Sequence, residues 1–463
     1  MFVFPLPDSG SLHRFLLAPA PVLGGNIAVS DKTFIFAAGF PASRGRFLFV
    51  CCALTLAIVS FPNTASAGDW PQWLGPQRNG HAPADSPPVD KLAPDLKVLW
   101  RKRIGGGFSS PVVTGGKLVV FDENGHEEIA HLLDAKTGAE IWSATIGPVY
   151  RDEWGAGPRS TPIIDGDLVF VQSCRGEFRC LNLATGSMIW SVDFEKDFGV
   201  KFLGSKANEG TAARRGNNGS ALVDGEAIIV PVGSTNGATL VCFDKHNGKI
   251  LWKAGDEEAA YSSPVVATLA GVKQIVAFTA DALMGVEREH GTVLWRVPFR
   301  TAAKRHAATP VIYGDTVIVN SHTIGLVATK IVGQGGGLRA VPLWANEELK
   351  INLSTPVRVG DYLFEQGPDQ TYICADARTG QTMWQAPGFG ARGTENSSTI
   401  AIGKNLLILT DEGELVLIAA RSDHYTELSH VQACGKNWNF PAFADGRLYV
   451  RDARELICYD LLP

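Results

Sequence analysis

The chain has 463 residues, enough for two or three domains at roughly 100 to 200 residues each, or for one large repeat fold. With 45% hydrophobic and 19% charged residues it can bury a large core, which excludes a disordered chain or an acidic tail. The 42 basic and 47 acidic residues leave a net charge of −5, so no electropositive field is available for a nucleic-acid backbone, and nucleic acid is set aside as a partner. The 50 glycines and 26 prolines favour many short strands over long helices.

The first recognisable segment is an export signal. Arg44 and Arg46 supply a basic start, Phe47 to Phe61 is an unbroken apolar run, and Ala65-Ser66-Ala67 is a small-residue cleavage site, so the exported chain is expected to begin at Gly68. The apolar run is short of the roughly 20 residues that span a bilayer, which argues against a membrane anchor. Residues Met1 to Ser43 precede the signal, an arrangement best explained by a translation start misplaced upstream. Cys51 and Cys52 lie inside the apolar run and follow residues that lipid attachment sites avoid, so soluble export to the periplasm or beyond is expected.

From Leu96 onward the chain repeats. Ser109-Ser110-Pro111, an apolar run at Leu118 to Phe121, then Leu132 to Gly138 and Ile141-Trp142 make three apolar runs and a final Gly-x-x-x-Trp strand, four strands per unit. Copies run from Ser160-Thr161-Pro162 to Trp190, from Gly219-Ser220 to Trp252 and from Ser262-Ser263-Pro264 to Trp295. Later copies drift. Thr309-Pro310 leads to Trp344 without the glycine, Ser354-Thr355-Pro356 leads to Gly380 and Trp384, and Ser397-Ser398 leads to a copy with Tyr425 near the tryptophan slot. The last copy, from Phe440-Pro441, stops after three strands, while Leu96 to Ile104 carries a spare strand with Trp100. Eight copies of about 46 residues, the last closed by the N-terminal strand, predict an all-β, eight-bladed β-propeller of four-stranded antiparallel blades. The expected organisation is an N-terminal extension and signal over 1–67, a leader over 68–95 and the propeller over 96–463, as a monomer. Within each unit the glycine permits a positive φ, and the tryptophan is read as a flat surface that docks on the neighbouring blade.

The Ala-x-Thr-Gly-x-x-x-Trp unit, as in Ala135 to Trp142, Ala184 to Trp190 and Ala377 to Trp384, resembles the tryptophan-docking repeat of the pyrroloquinoline quinone (PQQ) family of propellers. The leader Asp69-Trp70-Pro71-Gln72-Trp73-Leu74-Gly75-Pro76 is similar to the opening of secreted PQQ-like proteins. The resemblance implies one of two activities. Quinoprotein dehydrogenases hold PQQ and calcium in the propeller centre; cofactor-free members include the scaffold of the outer-membrane β-barrel assembly machinery. Quinoproteins commonly carry adjacent cysteines beneath the quinone and large insertions between blades, whereas here no Cys-Cys follows Cys52. Asp122-Glu123-Asn124-Gly125 and Asp411-Glu412-Gly413 read as hairpin turns and not as calcium loops. No cofactor is therefore expected, with PQQ and calcium as the alternative.

Other chemical signals are weak. Asp197-Phe198-Gly199 lacks every companion of a kinase site, and the histidines have no zinc spacing. Cys180, Cys242, Cys374 and Cys458 occupy the third strand of four different copies and read as small buried residues; Cys174 and Cys180 flank a short hairpin through Gly176 that leaves a disulfide open. In a propeller the residues just before each innermost strand ring the channel. These are Arg159, Asn217, Asn218, Tyr261, Arg305, His306, Asn352, Glu395, Asn396 and Trp438, a polar and partly aromatic set. Water would satisfy such a mouth, and so would a ligand or peptide with Arg159, Arg305 and Glu395 as charge partners. Two long connections overlook it, Gly147 to Arg159 and Glu195 to Gly216, the latter with Arg214-Arg215.

Overall fold

The computed structural model describes residues 68–200, 216–301, 304–392 and 396–462. The export signal, Met1 to Ser43, Arg214-Arg215 and Glu395 lie outside the described residues. Eight four-stranded antiparallel sheets follow one another along the chain as the blades of a propeller. Their innermost strands are Val112–Thr114, Ile163–Asp165, Leu222–Asp224, Val265–Leu269, Val311–Tyr313, Val357–Val359, Ser397–Ile402 and Ala442–Ala444. The eighth blade is composite: Ala442–Ala444, Arg447–Arg451 and Glu455–Asp460 take Lys97–Arg103 as their outermost strand, with Lys97 opposite Asp460 and Arg103 opposite Glu455. The closure expected from the truncated last repeat is thus present, and it leaves no blade of this ring short of a strand.

The repeat residues form the joints between blades. Cys180, Cys242 and Cys374 lie across the ladder from Trp190, Trp252 and Trp384, and Cys458 lies across from Trp100. A slim third-strand residue makes room for the indole, and a one-residue register slip beside each pair re-aims the ring toward the next blade. There the ring lies on the repeat glycine so closely that a methyl group added at Gly138, Gly186, Gly248 or Gly291 would fall 2.7 Å from it. Each docked indole also donates Nε1–H to a carbonyl of the receiving blade: Trp100 to Ala135 (3.1 Å), Trp142 to Leu183 (2.8 Å), Trp190 to Lys245 (2.9 Å) and Trp252 to Arg288 (3.0 Å). Glycine is required twice over, for a φ near +71° and for the absence of a Cβ.

Three blades depart from the pattern. The fifth has no repeat glycine because its outer strands lengthen into a hairpin, Gly325–Gln334 and Gly337–Asn346. Trp295 of the fourth blade turns back instead and donates to Gln274 Oε1 of its own sheet (2.5 Å). In the seventh blade Ser429, not Tyr425, occupies the tryptophan register opposite Leu417. Tyr425 packs edge-on against Trp384 of the preceding blade at 5.6 Å, and the Ser429 hydroxyl accepts the N–H of Leu92 from the leader (2.9 Å).

Cys174 and Cys180 form no disulfide; both are buried free thiols. Cys180 pairs with Phe170, whereas Cys174 lies beyond the strand Leu168–Gln172, so the hairpin never sets the two opposite each other. Asp197-Phe198-Gly199 ends a five-residue helix, Phe194–Phe198, with Gly199 as its left-handed cap (φ 71°). Asp411 to Gly413 is the expected hairpin turn, whereas Asp122 and Glu123 still belong to the strand Lys117–Glu123 and the turn begins at Asn124-Gly125.

Candidate functional site

The segments that enter the innermost strands are tied into a belt. Thr161 N–H donates to Ser220 Oγ, Ser220 N–H to Ser263 Oγ, Thr309 N–H to Thr355 Oγ1 and Phe440 N–H to Ser110 Oγ, each at 2.9–3.0 Å. Four blades thus hand a backbone N–H to the hydroxyl of the next, and Ser397 N–H of the seventh donates back to Ser354 Oγ of the sixth (3.2 Å). This gives the recurrent Ser/Thr before or at proline a physical role, because proline supplies no N–H and the neighbouring hydroxyl supplies the joint.

The leader crosses the channel inside this belt. Trp70 exchanges two backbone hydrogen bonds with Val113 of the first blade (2.7 and 2.9 Å), and Ile164 N–H of the second donates to the Pro71 carbonyl (2.9 Å). Arg78, buried, donates to the carbonyls of Ser220 (3.1 Å) and Ala221 (2.7 Å) in the third blade, and burial lowers its pKa to about 9. Trp73 Nε1–H donates to Thr309 Oγ1 of the fifth blade (2.9 Å). His81 reaches the Arg358 carbonyl of the sixth (2.7 Å), and Ala82 N–H the Ala401 carbonyl of the seventh (2.9 Å). Leu74 and Arg78 hold φ values of 59° and 54°, strained turns that their buried side chains keep in place.

The leader therefore divides the channel. On the side where the innermost strands begin lies a cup of about 210 Å³, lined by Trp73, Phe108, Trp154, Arg159, Asn218, Ser220, Tyr261, Ser263, Arg305, Asn352, Ser354, Asn396, Ser397, Trp438 and Phe440 among others. On the other side a second cavity is bounded by Leu74, Arg78, His81, Val265, Val311 and Arg358. Seven of the residues expected at the mouth come together in the cup: Arg159, Asn218, Tyr261, Arg305, Asn352, Asn396 and Trp438.

Asn217 and His306 are not brought into it. Asn217 is buried between blades, its amide donating to the Pro231 (2.6 Å) and Val232 (3.1 Å) carbonyls. His306 is fully buried, stacks on Phe278 at 4.1 Å and bonds the Thr279 carbonyl (2.6 Å); burial pushes its pKa down to about 4, so it is a neutral core ring. Neighbours along these segments point opposite ways, so Asn218 and Arg305 face the cup while Asn217 and His306 face the inter-blade core.

Sequence reasoning missed Phe108, Trp154, Trp73 and Phe440. Phe108 precedes Ser109-Ser110 and obeys the same positional rule in the first blade. Trp154 tips a small hairpin, Arg151–Asp152 paired with Gly155–Ala156, in the long connection already singled out. That hairpin is braced from behind: Arg159 donates to the fully buried Asp152 carboxylate (2.6 Å) and lies between the rings of Phe108 (5.3 Å) and Tyr150 (5.2 Å). Deeper still, Glu128 accepts the Tyr150 N–H (3.2 Å) and has no exposed surface, and burial raises its pKa to about 7.

The family model described as outer membrane protein assembly factor BamB matches residues 125–386, more than half of the chain. The chain belongs to the BamB family. The BamB of Burkholderia pseudomallei is 24% identical over 382 residues, covering 70% of this chain and 89% of that protein; the BamB of Yersinia pestis is 22% identical, covering 68% and 76%. Among solved structures, BamB from Moraxella catarrhalis covers 79% of this chain and 98% of its own at a TM-score of 0.52 and 15% identity. A quinohemoprotein alcohol dehydrogenase from Pseudomonas putida HK5 reaches 0.55 at 13% identity, covering 85% of this chain and 80% of its own. The computationally designed Ika8 protein also reaches 0.55, at 10% identity, covering 79% of this chain and all of its own. An assembly factor, an oxidoreductase and a designed protein share the fold, so the fold says nothing of the chemistry. The leader and the wall residues Phe108, Trp438 and Phe440 lie outside the stretch matched by the BamB model.

Proposed function

We propose that the protein is an exported, non-catalytic BamB-family propeller, released after Ala67, that works as a scaffold with the cup as its ligand- or partner-binding surface. The observation that carries this reading is the convergence of residues from the ring of blades on one cup floored by the leader's Trp73. Membership of a family described as outer membrane protein assembly factors supports a role in binding other molecules in the cell envelope. Among the described residues the lining consists of aromatic rings, carboxamides, hydroxyls and two guanidinium groups, which hold ligands. No described lining residue offers a carboxylate, imidazole or thiol to act as a base.

The same lining fits PQQ with calcium poorly. Arg159 and Arg305 suit the carboxylates of the quinone, but a calcium ion beside it needs anionic oxygens, and the described lining supplies only neutral ones. Titration of the purified protein with PQQ and calcium, followed by quinone absorbance and melting temperature, is expected to show no shift at ligand concentrations well above micromolar. Saturable one-to-one uptake with a raised melting temperature would overturn the non-catalytic reading.

A further inference from the structure

The cavity on the far side of the leader holds positive charge that its own lining does not balance. It measures about 320 Å³, far more than the roughly 10–15 Å³ a single water needs. Its walls come from the leader and from the innermost strands of three consecutive blades, the fourth, fifth and sixth. Gln77 and Asn79, both exposed, border it and open it to solvent. Among the described lining residues stand two guanidinium groups, Arg78 and Arg358, and the imidazole of His81, but no carboxylate.

Arg78 is 5% exposed, and its hydrogen bonds all go to neutral oxygens, the Ser220 and Ala221 carbonyls and Gln72 Oε1 (3.3 Å). Such bonds satisfy the N–H groups without neutralising the charge. Burial alone lowers its pKa, whereas Arg451, equally enclosed in the eighth blade, has the carboxylates of Asp122 and Asp452 near it. A buried charge without a counter-charge is costly, and beside an open cavity the counter-charge can come from solution. Arg358 repeats the situation at the wall. It donates Nε–H to the Ile312 carbonyl (3.1 Å) and Nη1–H to the Gly360 carbonyl (2.5 Å), and its Nη2 has no partner among the described residues. Asp361, next to Gly360, is engaged by Arg378 (3.4 Å) and by the Tyr313 hydroxyl (2.9 Å). His81 Nε2–H donates to the Arg358 carbonyl, since a carbonyl only accepts, and holds the leader against this wall. Two cations in a partly enclosed space focus a positive potential that repels other cations and is wasted on a neutral ligand. Half-buried Val266, Val311 and Ile312 add apolar wall, so the ligand that uses the whole lining is an anion with an apolar body.

We propose that this cavity binds an organic oxyanion, a carboxylate or phosphate on a small apolar body, with its charged end drawn to Arg78 and Arg358. The cup lies on the other side of the leader, so the assignment stands or falls independently of the cup's role.

The test is calorimetric titration of the purified protein with phenyl phosphate, benzoate, inorganic phosphate and neutral benzamide, each up to about 10 mM at constant ionic strength, with the His81 ring signals followed by NMR. One-to-one binding of at least one organic anion is expected, about tenfold or more tighter than benzamide, tighter than inorganic phosphate, and accompanied by a shift of the His81 signals. Arg358→Gln weakens it about tenfold, and Gln77→Glu, which only adds negative charge at the exposed border, about twofold or more. Arg421→Gln, at an exposed ion-paired arginine of the seventh blade, leaves it unchanged. Unchanged circular dichroism certifies each variant, and Gln77→Glu keeps the test decisive where Arg358→Gln fails to fold. The assignment is overturned if neither organic anion binds, or if benzamide or inorganic phosphate binds as tightly. Binding that is indifferent to these charge changes, or that leaves the His81 signals in place, overturns it too.

Discussion

Gly186→Ala tests whether tryptophan docking is the joint between blades. The φ of Gly186 is 70°, and an alanine there carries the left-handed penalty of about 1–2 kcal/mol. Its Cβ would also fall 2.7 Å from Trp142 Cδ2 and 2.9 Å from Cε3, against an ordinary carbon–carbon separation of about 3.5–4.0 Å. Relief requires the indole to move, which strains the Nε1–H bond to the Leu183 carbonyl (2.8 Å). Overpacking of about 1–3 kcal/mol and a lost hydrogen bond of about 1 kcal/mol add to the backbone penalty. Gly225→Ala is the matched control: φ is 62°, and nothing lies within 4 Å of the added methyl. Urea unfolding followed by tryptophan fluorescence should show Gly186→Ala less stable than Gly225→Ala by about 2–4 kcal/mol. In a Trp142→Ala background the excess should vanish, since the group it collides with is gone. Equal midpoints for the two glycine variants, or an excess that persists without Trp142, would refute docking as the source of the glycine requirement.

Three further outcomes follow from the buried groups. Arg78→Met keeps the apolar stem but strips the Ser220 and Ala221 carbonyls of their donor, and amide exchange at Trp70 and Val113 should accelerate by the equivalent of about 2–4 kcal/mol; unchanged exchange would show that the leader is held elsewhere. Glu128 keeps its proton up to about pH 7 when folded and loses it near its ordinary value of 4.5 when unfolded, so the native state holds the extra proton between these pH values. Its contribution is complete below about pH 4.5 and is lost as the pH rises to about 7, on the order of 3 kcal/mol, so Glu128→Gln should flatten that part of the stability profile and leave the protein more stable than its parent at pH 8. Alkylation and mass spectrometry of the unfolded chain should find Cys174 and Cys180 both as thiols, and a reductant should leave the melting temperature unchanged; a 174–180 crosslink would contradict the strand register.

The architecture was legible because a propeller blade solves the same problem eight times. Most copies use a tight turn, a slim third-strand residue and an indole to seal them to the next, and those requirements print Gly, Cys and Trp at recurring spacing. Where one requirement lapses, the print misleads. The missing glycine before Trp344 was visible, but not that Trp295 of the previous blade would fold back on Gln274. Tyr425 looked like a displaced tryptophan because spacing along the chain does not reveal the register, and the register puts Ser429 in that place. The channel mouth was legible to within one residue: the rule that picks the residue before each innermost strand selects Asn218 and Arg305 together with Asn217 and His306, and only packing decides which of two neighbours faces the channel.

The leader marks the boundary between the two kinds of information. Composition, repeat spacing and the truncated last copy were enough to establish eight four-stranded blades and their closure, because local turn chemistry and nearest-neighbour packing repeat with a period that the residues record. Asp69 to Ala82 has no such period. Its hydrogen-bond partners lie in six different blades, up to 321 residues away along the chain, and its path exists only once the ring has closed around it. That path turns a channel into a floored cup, a consequence of long-range contacts that no local pattern encodes.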